Sequence, residues 1–319
     1  MIITNIVQEK SFTVKLEEER KLNHFISASQ LTVSRIEKLC TIADSIRENP
    51  KEYQQKLNGK VIATIFFEPS TRTRLSFEAA IQRLGAGLIS TENANESSSG
   101  KKGESLQDTT RIIQSYADAI VMRHSDENSS IDAATVATVP VINAGSGKSE
   151  HPTQALLDMY TLRRCKGRLD NLSVAIMGDL KYGRTSHSLI TLLSLYEGQT
   201  IYGLSDEKLA LPQEYIDEMT AKGVKYVKVS SFEELPEGLD AFYQTRVQYE
   251  RIEGNERFKE FILNPEVMGR FPNALILHPL PRNEEIDCQL DDDARAVYFE
   301  QAKNGLYARM ALLLDILGE

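Results

Sequence analysis

The feature that most constrains this chain is an alternation: apolar runs of strand length recur between stretches of helical period along most of the sequence. This order predicts parallel strands joined by crossover helices, because a parallel pair needs a long connection to bring the chain back to the same end of the sheet. Expected strands are Val61–Phe67, Ala119–Arg123, Val139–Asn143, Leu172–Gly178, Thr200–Leu204, Val224–Val229, Leu239–Gln244 and Ala274–Leu277. Expected helices are Thr32–Glu48, Thr71–Leu84, Leu106–Tyr116, Pro152–Arg163, Ser186–Tyr196, Glu214–Ala221 and Asn304–Leu317. The predicted class is α/β. At 319 residues the chain is long for one hydrophobic core. Two domains are therefore expected, each with a central, mainly parallel sheet flanked by helices, and with a break near residue 150. By its period alone the last helix fits either domain.

Charge and composition remove several functions. A net charge of −9 opposes binding to nucleic acid, which needs a basic face. Cys40, Cys165 and Cys288 are widely spaced and odd in number, so they read as reduced thiols rather than a disulfide frame. The five histidines form no zinc-type spacing, and neither a metal nor another cofactor is expected. The opening residues lack the pattern of a signal peptide, and no apolar run reaches the ~20 residues of a spanning helix. The expected location is cytoplasmic, with no membrane partner.

Two stretches nearly match phosphate loops. Gly147-Lys148-Ser149 ends like a Walker A motif, but the earlier glycine position holds Ile142. Gly145-Ser146-Gly147 begins like a dinucleotide fingerprint whose third glycine position is Glu150. Neither nucleotide is expected.

The run FFEPSTRTRLSFEAA, residues 66–80, carries a stronger signal. Pro69 ends the strand, Ser70 is expected to supply an N-cap oxygen, and Leu75, Ala79 and Leu84 continue a helical period. Ser70, Thr71, Arg72 and Thr73 then sit at a helix N-terminus, where free N–H groups and the positive end of the dipole favour an anion. Arg72 adds a guanidinium suited to phosphate. A lone S-T-R would be an ordinary capped helix; the fuller Ser-Thr-Arg-Thr-Arg run at a strand-to-helix turn is harder to explain that way.

This run resembles the carbamoyl phosphate signature of the transcarbamoylase family. Three further stretches match the family in order: HPTQALLD at 151–158, GDLKYGRTSHSL at 178–189 and HPLPR at 278–282. The likeness extends from about residue 22 to the C-terminus. It implies a carbamoyl phosphate-binding domain over 1–150, joined by the terminal helix at about 303–319, and an aspartate-binding domain over 151–302. It implies transfer of a carbamoyl group from carbamoyl phosphate to the amine of L-aspartate, the committed step of pyrimidine synthesis.

By the same resemblance, Ser70, Thr71, Arg72 and Thr73 hold the phosphate, and Arg123 reaches both phosphate and carbonyl oxygen. His151 donates to that oxygen, Gln154 binds the carbamoyl amide, and Pro279 and Leu280 offer it backbone carbonyls. Thr73, Arg123 and His151 stabilise the oxyanion, and Arg72 the departing phosphate. Arg184, in a loop after a strand, and Arg246 with Gln248 bind the carboxylates of aspartate. Leu280 also borders the aspartate. The polar stretch ENANESSSGKKGES, residues 92–105, reads as a mobile surface loop. The family uses that loop across subunits, so Ser98 and Lys102 are expected to enter a neighbour's site in a homotrimer; a separate regulatory chain is a possible partner. Ornithine or an acylated ornithine is the alternative acceptor. Ornithine enzymes carry cysteines where this chain has Thr153 and Pro279, and a cationic side chain is a poor match for Arg246.

Overall fold

The computed structural model describes residues 23–96, 103–249 and 257–318. Its strands are β1 (Val61–Phe66), β2 (Gly87–Glu92), β3 (Ala119–His124), β4 (Val141–Ser146), β5 (Ser173–Met177), β6 (Thr200–Leu204), β7 (Lys225–Val229), β8 (Ala241–Gln244) and β9 (Leu275–Leu277). Its α-helices are α1 (Val33–Glu48), α2 (Thr71–Arg83), α3 (Leu106–Ile113), α4 (Ser129–Val136), α5 (Pro152–Lys166), α6 (Arg184–Leu193), α7 (Gln213–Ala221), α8 (Pro265–Gly269) and α9 (Tyr298–Leu317). The α/β expectation holds.

The strands form two sheets, one of four in the order β2-β1-β3-β4 and one of five in the order β7-β6-β5-β8-β9, and every pairing is parallel. Buried central strands explain the clear apolar runs: Ile62–Phe66 is buried throughout, as is all of β8. The edge strand β2, with the sequence GLISTE, is half exposed. It has no continuous apolar run, and the sequence reading omitted it.

In each sheet the chain order reverses once. The first sheet grows outward in opposite directions from β1 and β3, the second from β5 and β8. At such a switch point the loops leaving adjacent strands part and leave a crevice at the strands' carboxyl ends. The loop after β1 leads through Ser70 into the first turn of α2 with Thr71–Thr73, and the end of β3 carries Arg123. The chain after β5 carries Arg184 and that after β8 carries Arg246.

Helix α5 links the two sheets in sequence and is buried along Pro152–Leu162. Pro152 occupies its first turn and Gly167, at φ 71, closes its end in the left-handed conformation that favours glycine. The last helix packs back on α5, α1 and α2. There Asp315 receives Arg35 at 2.9 Å and Lys38 at 2.7 Å from α1. Among the described residues, no helix is long and apolar enough to cross a membrane.

Candidate active site

Both switch points open into one cleft of about 850 Å³. Ser70, Thr71, Arg72, Thr73, Arg123, His151, Gln154, Arg184, Arg246, Gln248, Pro279 and Leu280 all line it. Ser98 and Lys102 lie outside the described residues.

At the start of α2 the structure corrects one expectation. Ser70 holds the N-cap position, but its hydroxyl makes no cap bond to the helix. Instead, Ser70 Oγ accepts from Arg123 Nη1 at 3.2 Å, so it faces the cleft. That leaves the first-turn N–H groups of α2 without a side-chain cap, and an anion would satisfy them. Arg74, the second arginine of the run, turns away to Glu78 at 3.1 Å and Glu92 at 3.0 Å. Arg72 lines the cleft, where burial and then the nearby charge of Arg123 lower its pKa. Two guanidiniums that disfavour each other are a site short of negative charge.

Arg123 is held by Glu68, whose Oε2 accepts from its Nε at 3.0 Å. His151, the N-cap residue of α5, is 5% exposed, and its Nε2 lies 3.4 Å from Thr73 Oγ1. Burial, followed by the charges of Arg184, Arg123 and Arg309, holds its pKa well below the usual 6.5. His151 is therefore neutral at pH 7, with one ring N–H to offer and no charge to lose. Its Nδ1 is buried without a hydrogen-bond partner among the described residues.

Arg184 is the first residue of α6, capped by Gly183, rather than a loop residue as the sequence suggested. Gly183 fits because a Cβ there would lie 2.2 Å from Asp179 O. Arg184 Nη1 donates to Gly147 O at 2.5 Å. Gly145 separates the two sheets' arginines: a Cβ on it would lie 3.5 Å from Arg123 Nη1 and 3.6 Å from Arg184 Nη1. Those are ordinary contact distances, so Gly145 is favoured by its φ of 125, which other residues rarely adopt, rather than by lack of space.

Residues 23–164 match the family model for the carbamoyl phosphate-binding domain of aspartate/ornithine carbamoyltransferases, and residues 170–316 match that of the aspartate/ornithine-binding domain. The chain belongs to the aspartate/ornithine carbamoyltransferase family. It is 46% identical over 302 residues to the aspartate carbamoyltransferase catalytic subunit of Lachnoclostridium phytofermentans, covering 93% of this chain and 98% of the relative. The catalytic subunit of Aliivibrio fischeri is 45% identical over 93% of this chain and 97% of its own length. Among solved structures, aspartate transcarbamoylase from Trypanosoma cruzi in complex with carbamoyl phosphate and aspartate superposes with a TM-score of 0.86 at 33% identity, covering 94% and 98% of the two chains. The catalytic subunit of the M. jannaschii enzyme gives 0.82 at 40% identity, over 93% and 98%.

This carbamoyltransferase also lines its cleft with residues the sequence reading did not select. Arg309, on α9, is 3% exposed; burial lowers its pKa to about 10, against the pull of Asp158. Its guanidinium lies 5.2 Å from the Phe77 ring centroid. Gly305 makes room one turn earlier, since a Cβ there would lie 2.4 Å from Arg309 Nη1. A glycine inside an otherwise regular helix was the available signal. The segment after β9 is fixed by His278, whose Nδ1 accepts from Leu280 N at 2.8 Å while its Nε2 bonds Glu285 Oε1 at 2.8 Å. Leu280 stands at φ 55, in the left-handed region.

Proposed function

We propose that this chain is an aspartate carbamoyltransferase, converting carbamoyl phosphate and L-aspartate to N-carbamoyl-L-aspartate and phosphate. The observation that carries the reading is the pairing of two switch points across one cleft, with Arg72 and Arg123 on one side and Arg184 and Arg246 on the other. Two anionic substrates placed together repel, and four guanidiniums offset that repulsion. The carbamoyl phosphate-binding domain is residues 1–150 with the last helix and the aspartate-binding domain is 151–302, with His151, Gln154, Pro279 and Leu280 of the second reaching the carbamoyl group.

In this reading the phosphate sits on the uncapped end of α2 with Ser70, Thr71, Arg72 and Thr73. Thr73, Arg123 and neutral His151 donate to the carbonyl oxygen. Gln154 and the carbonyls of Pro279 and Leu280 accept from the carbamoyl amide. Arg184, Arg246 and Gln248 receive the two carboxylates of aspartate, beside Leu280. The uncharged amine attacks the carbamoyl carbon, the carbonyl becomes an oxyanion, and the C–O bond to phosphate breaks. The departing phosphate takes the amine's proton. Losing one oxyanion donor lowers turnover by roughly 10²–10³. An ornithine side chain would bring a cation to Arg246, which disfavours the alternative acceptor.

A compound joining a phosphonate to an aspartate-like dicarboxylate tests the shared cleft. Calorimetry is expected to show far tighter binding than for either substrate. Affinity no better than that of phosphate would remove the basis of the reading.

We further propose a homotrimer in the cytoplasm whose sites are completed by Ser98 and Lys102 of the adjacent chain, with a regulatory chain as a possible partner. Lys102→Ala and Arg123→Ala, each nearly inactive, should regain about one quarter of wild-type activity when dissociated, mixed equally and reassembled, because that fraction of sites draws both intact halves. No recovery in confirmed trimers would mean that each chain uses its own loop.

A further inference from the structure

Asp158 is wholly buried on α5, one turn beyond Gln154, and no role in the reaction has been given to it. Its Oδ1 accepts from Gln154 Nε2 at 2.8 Å and from Gln301 Nε2 at 2.6 Å, and its Oδ2 accepts from Tyr243 OH at 2.8 Å. All three neighbours donate. A side-chain amide that donates through nitrogen must present its carbonyl elsewhere. The Gln301 carbonyl accepts from His278 N at 2.9 Å, at the root of the Pro279–Leu280 segment. Gln154 lines the cleft, and its Oε1 has no hydrogen-bond partner among the described residues.

An amide turned by 180° about its last torsion occupies nearly the same space, so packing alone does not choose between carbonyl and NH₂. An acceptor-only carboxylate does choose. We propose that Asp158 is a positioning residue: it fixes Gln154 with its carbonyl toward the cleft and, through Gln301 and His278, holds the Pro279 and Leu280 carbonyls. The pocket for the carbamoyl NH₂ then contains acceptors only. This inference rests on the carbamoyl-transfer reading and adds the source of its selectivity for an amide over a group of the same shape. Burial pushes the Asp158 carboxyl up to about 7, while Gln301, Tyr243, Gln154 and Arg309 draw it back. A proton on it would need an acceptor that none of its three donors provides in the observed arrangement.

Two stable ligands isolate the effect. Phosphonoacetamide and acetonylphosphonate differ only in carrying NH₂ or CH₃ on the carbonyl. For the wild-type chain, calorimetry is expected to favour the amide on the order of tenfold or more. Asp158→Leu removes the acceptor at similar volume, and the ratio should fall close to one while inorganic phosphate still binds at α2. Asp158→Asn should keep the ratio within about threefold, because its Oδ1 can still take both glutamines while its NH₂ meets a rotated Tyr243 hydroxyl. Should Asp158→Leu not fold, Gln301→Met cuts the link to His278 and is expected to lower the ratio at least about threefold. A folded Asp158→Leu or, failing that, Gln301→Met with the wild-type ratio would overturn the inference. So would Asp158→Asn losing the preference as fully as Asp158→Leu. A wild-type chain with no preference would instead overturn the carbamoyl-transfer reading beneath it.

Discussion

Replacing Arg184 with lysine separates charge from hydrogen-bond geometry. The residue is 6% exposed, and its Nη1 is already committed to Gly147 O at 2.5 Å. Its planar fork can hold that carbonyl and a carboxylate together. Lysine keeps the positive charge, and so roughly the field felt by a phosphate on the other side of Gly145, but its single ammonium must choose between partners. A charge-assisted hydrogen bond contributes about 1.5–3 kcal/mol. Loss of one such bond lowers kcat/KM for aspartate by roughly 10- to 150-fold. The assay varies aspartate at saturating carbamoyl phosphate and measures carbamoyl phosphate affinity separately by calorimetry. Arg184→Lys should lose about 10²-fold in kcat/KM for aspartate and less than about threefold in affinity for carbamoyl phosphate, since its charge is retained. Near-normal aspartate kinetics, or an equal loss for both ligands, would refute the assignment of Arg184 to the acceptor.

Other expectations follow from the same geometry. Arg72→Ala should reduce phosphate affinity and turnover together, whereas Arg246→Ala should weaken aspartate use far more than carbamoyl phosphate binding; steady-state kinetics with each substrate varied distinguishes them. His151 should stay neutral in the fold through pH 6.5, visible as an unmoved ring resonance in NMR. Its folded pKa is depressed, so its contribution to stability is complete above the unfolded value of 6.5 and is lost as pH falls below it, where only the unfolded chain takes up the proton. Gly147→Ala should lower the melting temperature, because Gly147 has φ 44 and an added Cβ would lie 2.6 Å from Glu127 Cγ and 2.7 Å from Ser125 O.

Much of this fold was legible because its central strands are buried on both faces and therefore read as unbroken apolar runs. The helix Ser129–Val136 and strand Gly87–Glu92 were not, since small or half-polar residues give neither a clear period nor a run. Helix α6 starts at Arg184, two residues before the expected Ser186, because Gly183 rather than a side-chain oxygen holds the cap position and gives no polar start signal. The anion site at Ser70–Thr73 could be read from the residues themselves, whereas the rest of the candidate site came from the resemblance to the transcarbamoylase family, because strand order, which brings those loops together, is not written in any local run. Arg309 and Asp158 escaped notice because each makes its contacts from within a helix, where partners arrive from elements distant in sequence. Gln301, for example, stands 143 positions from the carboxylate it meets.

Carbamoyl transfer to aspartate is tested by incubating the purified chain with carbamoyl phosphate and either L-aspartate or L-ornithine, and identifying the product by mass. The expected product is N-carbamoyl-L-aspartate with one phosphate released per product, and no appreciable carbamoylated ornithine. Ornithine as the preferred acceptor, or no carbamoyl transfer by a folded and assembled protein, would contradict it.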